Sequence, residues 1–409
     1  MIITCEKLAA AKPDIPLIDN GAVAINKGTI LAAGAADKIK ERFSGHRIYR
    51  LRNAVLLPGL VNLHTHLELP PILDAIRAKS FPDWVLNLIQ AKKTLTPDDY
   101  AAAVKTNLVA LVHTGTTSIA EICTHGESPA LLEKTGLRAT IFHEIISMNS
   151  VRPFTSLSSL SPHPSSLIHH GFSPHTPYTV SEAVFRQIKK SAQAKHLRLC
   201  IHVAESKEEI RLLQRKKSEL EKLYQLAGWD LAGAPKGSSS FEYLNRIGVL
   251  SSNLLTVHAV QVTDKDIRLI KKTKTSVAHC PRSNKATGVG RMPLKKFLDA
   301  GITVGLGTDS LASSPSINMW DEMRYAFQIH KKDGITAEAI FRLATIGGAK
   351  ALGMDKELGT LEPGKKADII AVPLPKKNTG DFYSDLLRET KSSIMTMVDG
   401  KVLYEDDRR

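Results

Sequence analysis

Leu56-Leu57-Pro58-Gly59-Leu60-Val61-Asn62-Leu63-His64-Thr65-His66 is an apolar run that ends in two histidines one residue apart. Read as a strand, period-two alternation puts His64 and His66 on one face and turns Thr65 away. Two imidazoles at one strand end can chelate a single ion, since a neutral ring nitrogen ligates zinc at about 2.0–2.1 Å. Paired histidines also occur as hydrogen-bonded polar groups at strand ends. The motif therefore takes its meaning from the rest of the chain.

Taking 56–63 as the first strand, further strand-like runs follow at 115–121, 138–146, 167–173, 197–203, 253–258, 275–279 and 302–307. Helix-like stretches at 97–113, 181–195, 206–226 and 264–272 fall between them. Strands alternating with helices argue for βα units and a parallel sheet. Eight of them over 56–358 fit an α/β fold of the (β/α)8 TIM-barrel kind better than an open sheet. Residues 1–55 read as short strands separated by turns, and 359–409 return to that character, with Asp399-Gly400 as a hairpin turn. Both chain ends thus point to one small β domain.

Composition narrows the function classes. The balance of 55 Lys+Arg against 41 Asp+Glu leaves +14, which raises nucleic acid or an anionic membrane as partners. The clusters Arg215-Lys216-Lys217, Lys271-Lys272 and Lys365-Lys366 lack interleaved aromatics, so a solvated basic surface is the better reading. The 4 cysteines form no CxxC pair, which argues against a zinc ribbon and gives no support to a disulfide framework. There is no signal-peptide pattern at the N-terminus, and no run approaches the ~18 apolar residues of a membrane span. The expectation is a reduced, cytoplasmic protein that engages neither nucleic acid nor membrane.

In a barrel, chemistry gathers at the C-terminal strand ends. There the sequence places His64 and His66, then Ser173-Pro174-His175, His202-Val203-Ala204-Glu205, His258, His279 and Gly307-Thr308-Asp309-Ser310. Each histidine alone reads as a structural one; their repetition after apolar runs favours convergence at one rim. His64, His66, His202 and Asp309 supply the three or four N/O ligands of a hydrolytic metal site, where a bound water loses its proton near neutrality. Glu205, three residues past His202, and His258 are the candidates for moving protons. Glu205 also reads as an ordinary carboxylate at a helix N-terminus, because Ser206-Lys207-Glu208-Glu209 follows.

These motifs, with His279-Cys280-Pro281-Arg282-Ser283-Asn284 and the terminal Gly359-Thr360-Leu361-Glu362-Pro363-Gly364-Lys365-Lys366-Ala367-Asp368, resemble the amidohydrolase superfamily, in particular its aminohydrolases of purines and related rings. The resemblance spans nearly the whole chain. It implies a barrel with a β-sandwich built from both termini. By motif position it carries His64, His66, His202 and Asp309 over as ligands of one divalent ion, zinc ahead of Fe2+. Glu205 carries over as the proton shuttle to the ring nitrogen and His258 as the residue that activates water, with Asp309 sharing that task. The bridging lysine of two-metal members has no counterpart in Ile145-Ile146-Ser147 or Ser173-Pro174-His175.

Within that branch the chain resembles enzymes that deaminate modified adenosines. His64-Thr65-His66-Leu67-Glu68-Leu69 with Phe81-Pro82-Asp83-Trp84-Val85 is most similar to the group acting on 6-amino-6-deoxyfutalosine, a menaquinone precursor. S-adenosylhomocysteine and 5′-methylthioadenosine are the alternatives, followed by a chlorinated triazine, a cyclic amide or guanine. His175, Arg152 and Ser313 are the candidate substrate contacts, Arg152 reading equally as a partner for a substrate carboxylate or as a surface arginine. Pro153 to Pro164 reads as a long connection over the barrel mouth. A non-enzymatic binding protein on a degenerate barrel fits less well, because every expected metal and proton-transfer position is filled. Homo-oligomerisation is left open by the sequence.

Overall fold

The computed structural model describes residues 1–12, 15–148 and 167–406. Two sheets divide the strands. The N-terminal segment contributes β1 (Ile2–Leu8), β2 (Ile18–Asn26), β3 (Thr29–Ala35), β4 (Ile48–Arg50) and β5 (Ala54–Pro58). The barrel strands follow as β6 (Leu60–Thr65), β7 (Thr116–Cys123), β8 (Arg138–Ile145), β9 (Ile168–Pro174), β10 (Arg198–Val203), β11 (Leu254–His258), β12 (Ser276–His279) and β13 (Val304–Leu306). The chain ends with β14 (Ile369–Pro373), β15 (Met395–Val398) and β16 (Lys401–Glu405).

β6 to β13 pair in sequence order, every pair parallel, as βα units require. β6 and β7 are buried at every residue, the signature of strands covered on both faces. On the outer face, Leu199, Ile201 and Val203 pack with Phe185, Ile188, Leu244 and Phe341 of the surrounding helices. A second buried cluster joins Val61, Ile122, Phe142, Cys200, Val257 and Cys280 of the strands and their ends to Ala351 and Leu352. Helix starts are marked in the sequence by caps. Thr96 with Asp99 and Thr263 with Asp266 form capping boxes, and Ser181 caps Glu182–Ala194, whose Val184, Phe185, Ile188 and Ala192 face the core.

The barrel closes where β13 meets β6. Asn62 joins its side-chain amide to the Thr308 hydroxyl at 2.8 Å and accepts the Thr308 amide at 3.1 Å. One parallel bridge, Thr65 with Asp309, continues the seam, and the Asp309 amide donates to the His64 carbonyl at 3.0 Å.

The remaining strands form one mixed eight-stranded sheet, β16-β15-β14-β5-β1-β2-β3, with β4 beside β1. It curls on itself, since Ile30 donates to Lys365 and Ala367 to Gly28, both at 2.8 Å. The β domain expected from both termini is thus present, its sheet wrapped around Ile3, Val23, Leu56, Ile369 and Met397.

Two expectations change. The run 56–63 is not one strand. Its first half lies in β5 of the terminal sheet, and the barrel begins only after Gly59, so the boundary moves past 55. Gly59 sits at the join because a Cβ there would meet the Thr117 side chain at 2.1–2.7 Å. The stretch 206–226 is two helices, Lys207–Leu213 and Glu221–Ala227. Arg215 interrupts them at φ 57°, its guanidinium spent on the Leu231, Ala232 and Ala234 carbonyls.

A buried ion pair locks the two sheets together. Arg138 at the start of β8 meets Asp368 bidentately at 3.1 Å on both contacts, and Asp368 also accepts the Asp399 amide at 2.8 Å. Arg138→Met leaves that carboxylate buried and short of its cation, which costs about 3–5 kcal/mol. The expected result is a lower urea midpoint; a variant as stable as the wild type would show that the pair does not hold the joint.

Candidate functional site

Three ring nitrogens converge at the barrel mouth. His64 Nε2 lies 3.2 Å from His66 Nε2 and 3.2 Å from His202 Nε2, and Asp309 Oδ1 lies 3.6 Å from the first two. The His202 Nδ1–H donates to the His175 carbonyl at 3.1 Å, which leaves its Nε2 lone pair facing the others. Lone pairs and a carboxylate at this spacing repel one another unless a cation stands among them. Ligands about 2.0–2.1 Å from a tetrahedral zinc ion lie about 3.3 Å apart, so the cluster fits such an ion.

Electrostatics agree. Burial, with the neighbouring His64, pushes His66 down to about 4, and burial takes His202 well below the usual imidazole range. Against the burial that would raise it, the surrounding histidines hold Asp309 well below the usual carboxylate range. Neutral imidazoles and an ionised carboxylate are the protonation states a metal needs. Asp309 is further fixed by the Ser283 hydroxyl at 2.6 Å and the Ser310 amide at 2.8 Å.

Beside this cluster stand the two proton-transfer candidates. His258 Nε2 is 3.6 Å from Glu205 Oε1 and 4.0 Å from Asp309 Oδ2, too long for direct hydrogen bonds and suited to one oxygen donor between them. The His258 Nδ1–H donates to Asn284 Oδ1 at 2.8 Å, which turns the unprotonated nitrogen toward the site. Burial, reinforced by Asp309 and Glu209, raises Glu205 well above the ordinary carboxyl range.

The backbone here is strained at several points. Ala204 (φ 52°), His258 (φ 73°), Ala259 (φ 46°) and Asp309 (φ 60°) all occupy the left-handed region, which non-glycine residues seldom adopt. Local hydrogen bonds compensate. The Ala204 carbonyl accepts from Val260 at 3.0 Å and Gln261 at 2.7 Å. Buried Glu209 accepts the Ala204 amide at 2.8 Å, the Glu205 amide at 3.0 Å and the Ser240 hydroxyl.

The site opens into a cavity of about 450 Å³. His66, His202, Glu205, His258 and Asp309 form its polar end, and Phe81, Trp84, Leu88, Leu223 and Trp229 belong to its apolar walls. His175 lines it too. Ser313 does not: it is fully buried beneath the turn after Asp309, whose Ser310 reaches the cavity instead. Arg152 and the 153–164 connection lie outside the described residues.

Glu144 at the end of β8 also lines the cavity, held by the Thr124 hydroxyl at 2.8 Å, with His175 Nε2 at 4.0 Å. The sequence reading looks to residues 145–147 for a bridging lysine and assigns nothing to this carboxylate one position earlier. Strand parity was the available signal, because Glu144 shares its face with Phe142. Glu144, His175 and His202 stand close enough for a second ion, but His202 has both nitrogens committed, one to the His175 carbonyl and one to the first cluster. Ser283, Asn284 and Glu209 likewise carry no role in the sequence reading, although the first two lie in the motif His279-Cys280-Pro281-Arg282-Ser283-Asn284.

The amidohydrolase family model matches residues 55–403. The chain belongs to the amidohydrolase family. The hydrolase expectation is met at that level. A 5′-deoxyadenosine deaminase of Methanosarcina mazei is 29% identical over 416 residues, covering 97% of this chain and 90% of the relative. A 5-methylthioadenosine/S-adenosylhomocysteine deaminase of Nitratidesulfovibrio vulgaris is 28% identical, covering 96% and 89%. Among solved structures, the aminofutalosine deaminase of Helicobacter pylori superposes with a TM-score of 0.89 at 22% identity, covering 98% of this chain and 99% of that one. A zinc-bound adenosine deaminase of Xanthomonas campestris gives 0.83 at 24% identity, covering 99% and 92%. At these identities the two structures establish the shared fold. No helix among the described residues is long and apolar enough to cross a membrane.

Glu209 provides a test of how Glu205 is held. Glu209→Ala leaves two buried amides without an acceptor, which costs about 1–3 kcal/mol each. The expected result is a kcat lowered at least tenfold with KM little moved, Glu209→Gln being milder. Unchanged turnover in Glu209→Ala would show that the loop holds Glu205 without it.

Proposed function

We propose that this amidohydrolase is a metal-dependent deaminase of a modified adenosine, with 6-amino-6-deoxyfutalosine of menaquinone synthesis as its substrate. The observation that carries the reading is the joint arrangement of His64, His66, His202 and Asp309 with Glu205 and His258 at the end of one cavity. The named activities of the matched relatives support adenosine-type substrates. S-adenosylhomocysteine and 5′-methylthioadenosine are the second reading, favoured by the N. vulgaris relative.

His64, His66, His202 and Asp309 would hold one divalent ion, zinc ahead of iron. When bound, that ion supplies a water whose pKa is lowered toward neutrality. His258 and Asp309 hold the attacking oxygen and take its proton as it bonds to the ring carbon bearing the amine. Glu205, kept protonated by its buried setting, delivers a proton to the adjacent ring nitrogen, so negative charge does not accumulate there. The proton held by His258 and Asp309 passes to the departing nitrogen, and as the C–N bond breaks the added oxygen gives its remaining proton back to Glu205. Ammonia leaves and a ring carbonyl remains. His175 and Glu144 face the cavity beside these groups and are placed to contact the purine or the ribose.

Three measurements test this. Metal-replete protein is expected to release ammonia from aminodeoxyfutalosine with a kcat/KM well above those for S-adenosylhomocysteine, 5′-methylthioadenosine, adenosine and guanine. Chelation is expected to abolish release and added zinc to restore it. Glu205→Gln is expected to lower kcat by about 10²–10⁴ while retaining the metal. Full activity in that variant would remove Glu205 from the mechanism, and equal rates on the thioether nucleosides would shift the substrate to the second reading.

A further inference from the structure

The helix Phe81–Lys92 forms one side of the cavity, and its lining residues follow helical periodicity. Trp84, Leu88 and Lys92 recur every four residues, and Val85 and Ile89 fill the positions beside them, so all five lie on one face. Four are apolar, as expected of a wall against a purine or another flat ring. The fifth is an ammonium. Lys92 is half-buried at the cavity, whereas its neighbour Lys93 is exposed at the rim.

Lys92 makes no ion pair with any described residue. Glu144, the acid of the cavity lining on which this charge acts, already accepts the Thr124 hydroxyl. The Lys92 charge nonetheless reaches the site, because it contributes to the perturbation of His66, Glu144 and His175. A surface lysine would be satisfied by water. One half-buried in a cavity lining that also holds Ile146 and Leu226, each 49% exposed, leaves room for a ligand that is apolar along its length and anionic at one point.

We infer that Lys92 is the specificity residue for the substituent carried by the nucleoside, and that this substituent is an apolar chain or ring bearing a carboxylate. The inference rests on the adenosine-deaminase reading above and deepens it. The purine occupies the end of the cavity at Glu205 and His258, the apolar stripe covers the substituent, and the carboxylate meets Lys92. An uncharged tail would bury the same stripe and leave the ammonium without an ion-pair partner among the described residues.

The test compares wild type, Lys92→Met and Lys92→Arg as zinc-loaded enzymes. Each is assayed on aminodeoxyfutalosine, which carries an aryl carboxylate, and on uncharged 5′-methylthioadenosine. The ratio of the two kcat/KM values is expected to favour the carboxylate in the wild type. It should fall at least tenfold in Lys92→Met, mainly through KM, and return to within about threefold in Lys92→Arg. Titration with the deaminated products, futalosine and 5′-methylthioinosine, gives the same comparison without turnover: Lys92→Met should weaken futalosine at least tenfold relative to methylthioinosine. A ratio unmoved by Lys92→Met, or a wild type with no preference for the carboxylate, would overturn the assignment of Lys92. Wild-type enzyme that deaminates neither nucleoside would overturn the deaminase reading itself, and this inference with it.

Discussion

The site depends on the seam that closes the barrel. His64 and His66 stand at the end of the first barrel strand, Asp309 just past the last, and only closure brings them within 3.6 Å. The seam is thin, with one backbone bridge and the Asn62–Thr308 side-chain pair. Its lower half is sealed by close packing. A Cβ on Gly305 would meet Leu63 at 2.7 Å and the Gly348 backbone at 2.9–3.0 Å, and one on Gly307 would meet His64 at 2.8 Å. The glycines allow the last strand to approach the first, and that approach sets the position of Asp309.

Around the mouth, buried carboxylates do the work that disulfides do in small secreted proteins. Glu68 gathers the amides of Thr124, His125, Glu127 and Ser128 at 2.6–3.2 Å, and Glu121 takes the Leu67 amide. Glu209 holds the turn carrying Glu205, and Glu322 accepts the Arg282 amide at 2.9 Å beside Ser283 and Asn284. Burial raises Glu121 well above its ordinary range, Glu209 to about 7 and Glu322 to about 8, each partly offset by those hydrogen bonds. All four cysteines are free and buried, and Cys200 and Cys280 pack in the strand cluster.

Most of the frame was legible in the sequence because hydrophobic period and caps are local signals. Eight strands fall within a few residues of their expected places, and Pro97–His113 matches its expected helix end to end. The features that escaped depend on tertiary context. Pro58-Gly59 reads as the interior of one apolar run, yet the sheets part there because β14 captures the first half. The bend at Arg215 follows from carbonyls sixteen or more residues away. Ser313 and Ser310 look equivalent in sequence, and only the folded chain brings Ser310 to the cavity and buries Ser313 away from it. Lys92 reads as an ordinary helix-terminal lysine until the opposite wall is known.

The terminal sheet also sets an order on assembly. β5, which feeds directly into the first barrel strand, finds one of its neighbours in β14, and Leu57 pairs with Ile370 across most of the chain. During synthesis the barrel strands can appear in turn, but the foundation of the first one lacks that partner until β14 has been made. Such a high-contact-order joint is slow to close and leaves a strand edge open meanwhile. A truncation that removes β14 would therefore be felt at the strand carrying His64 and His66, far from the cut in sequence.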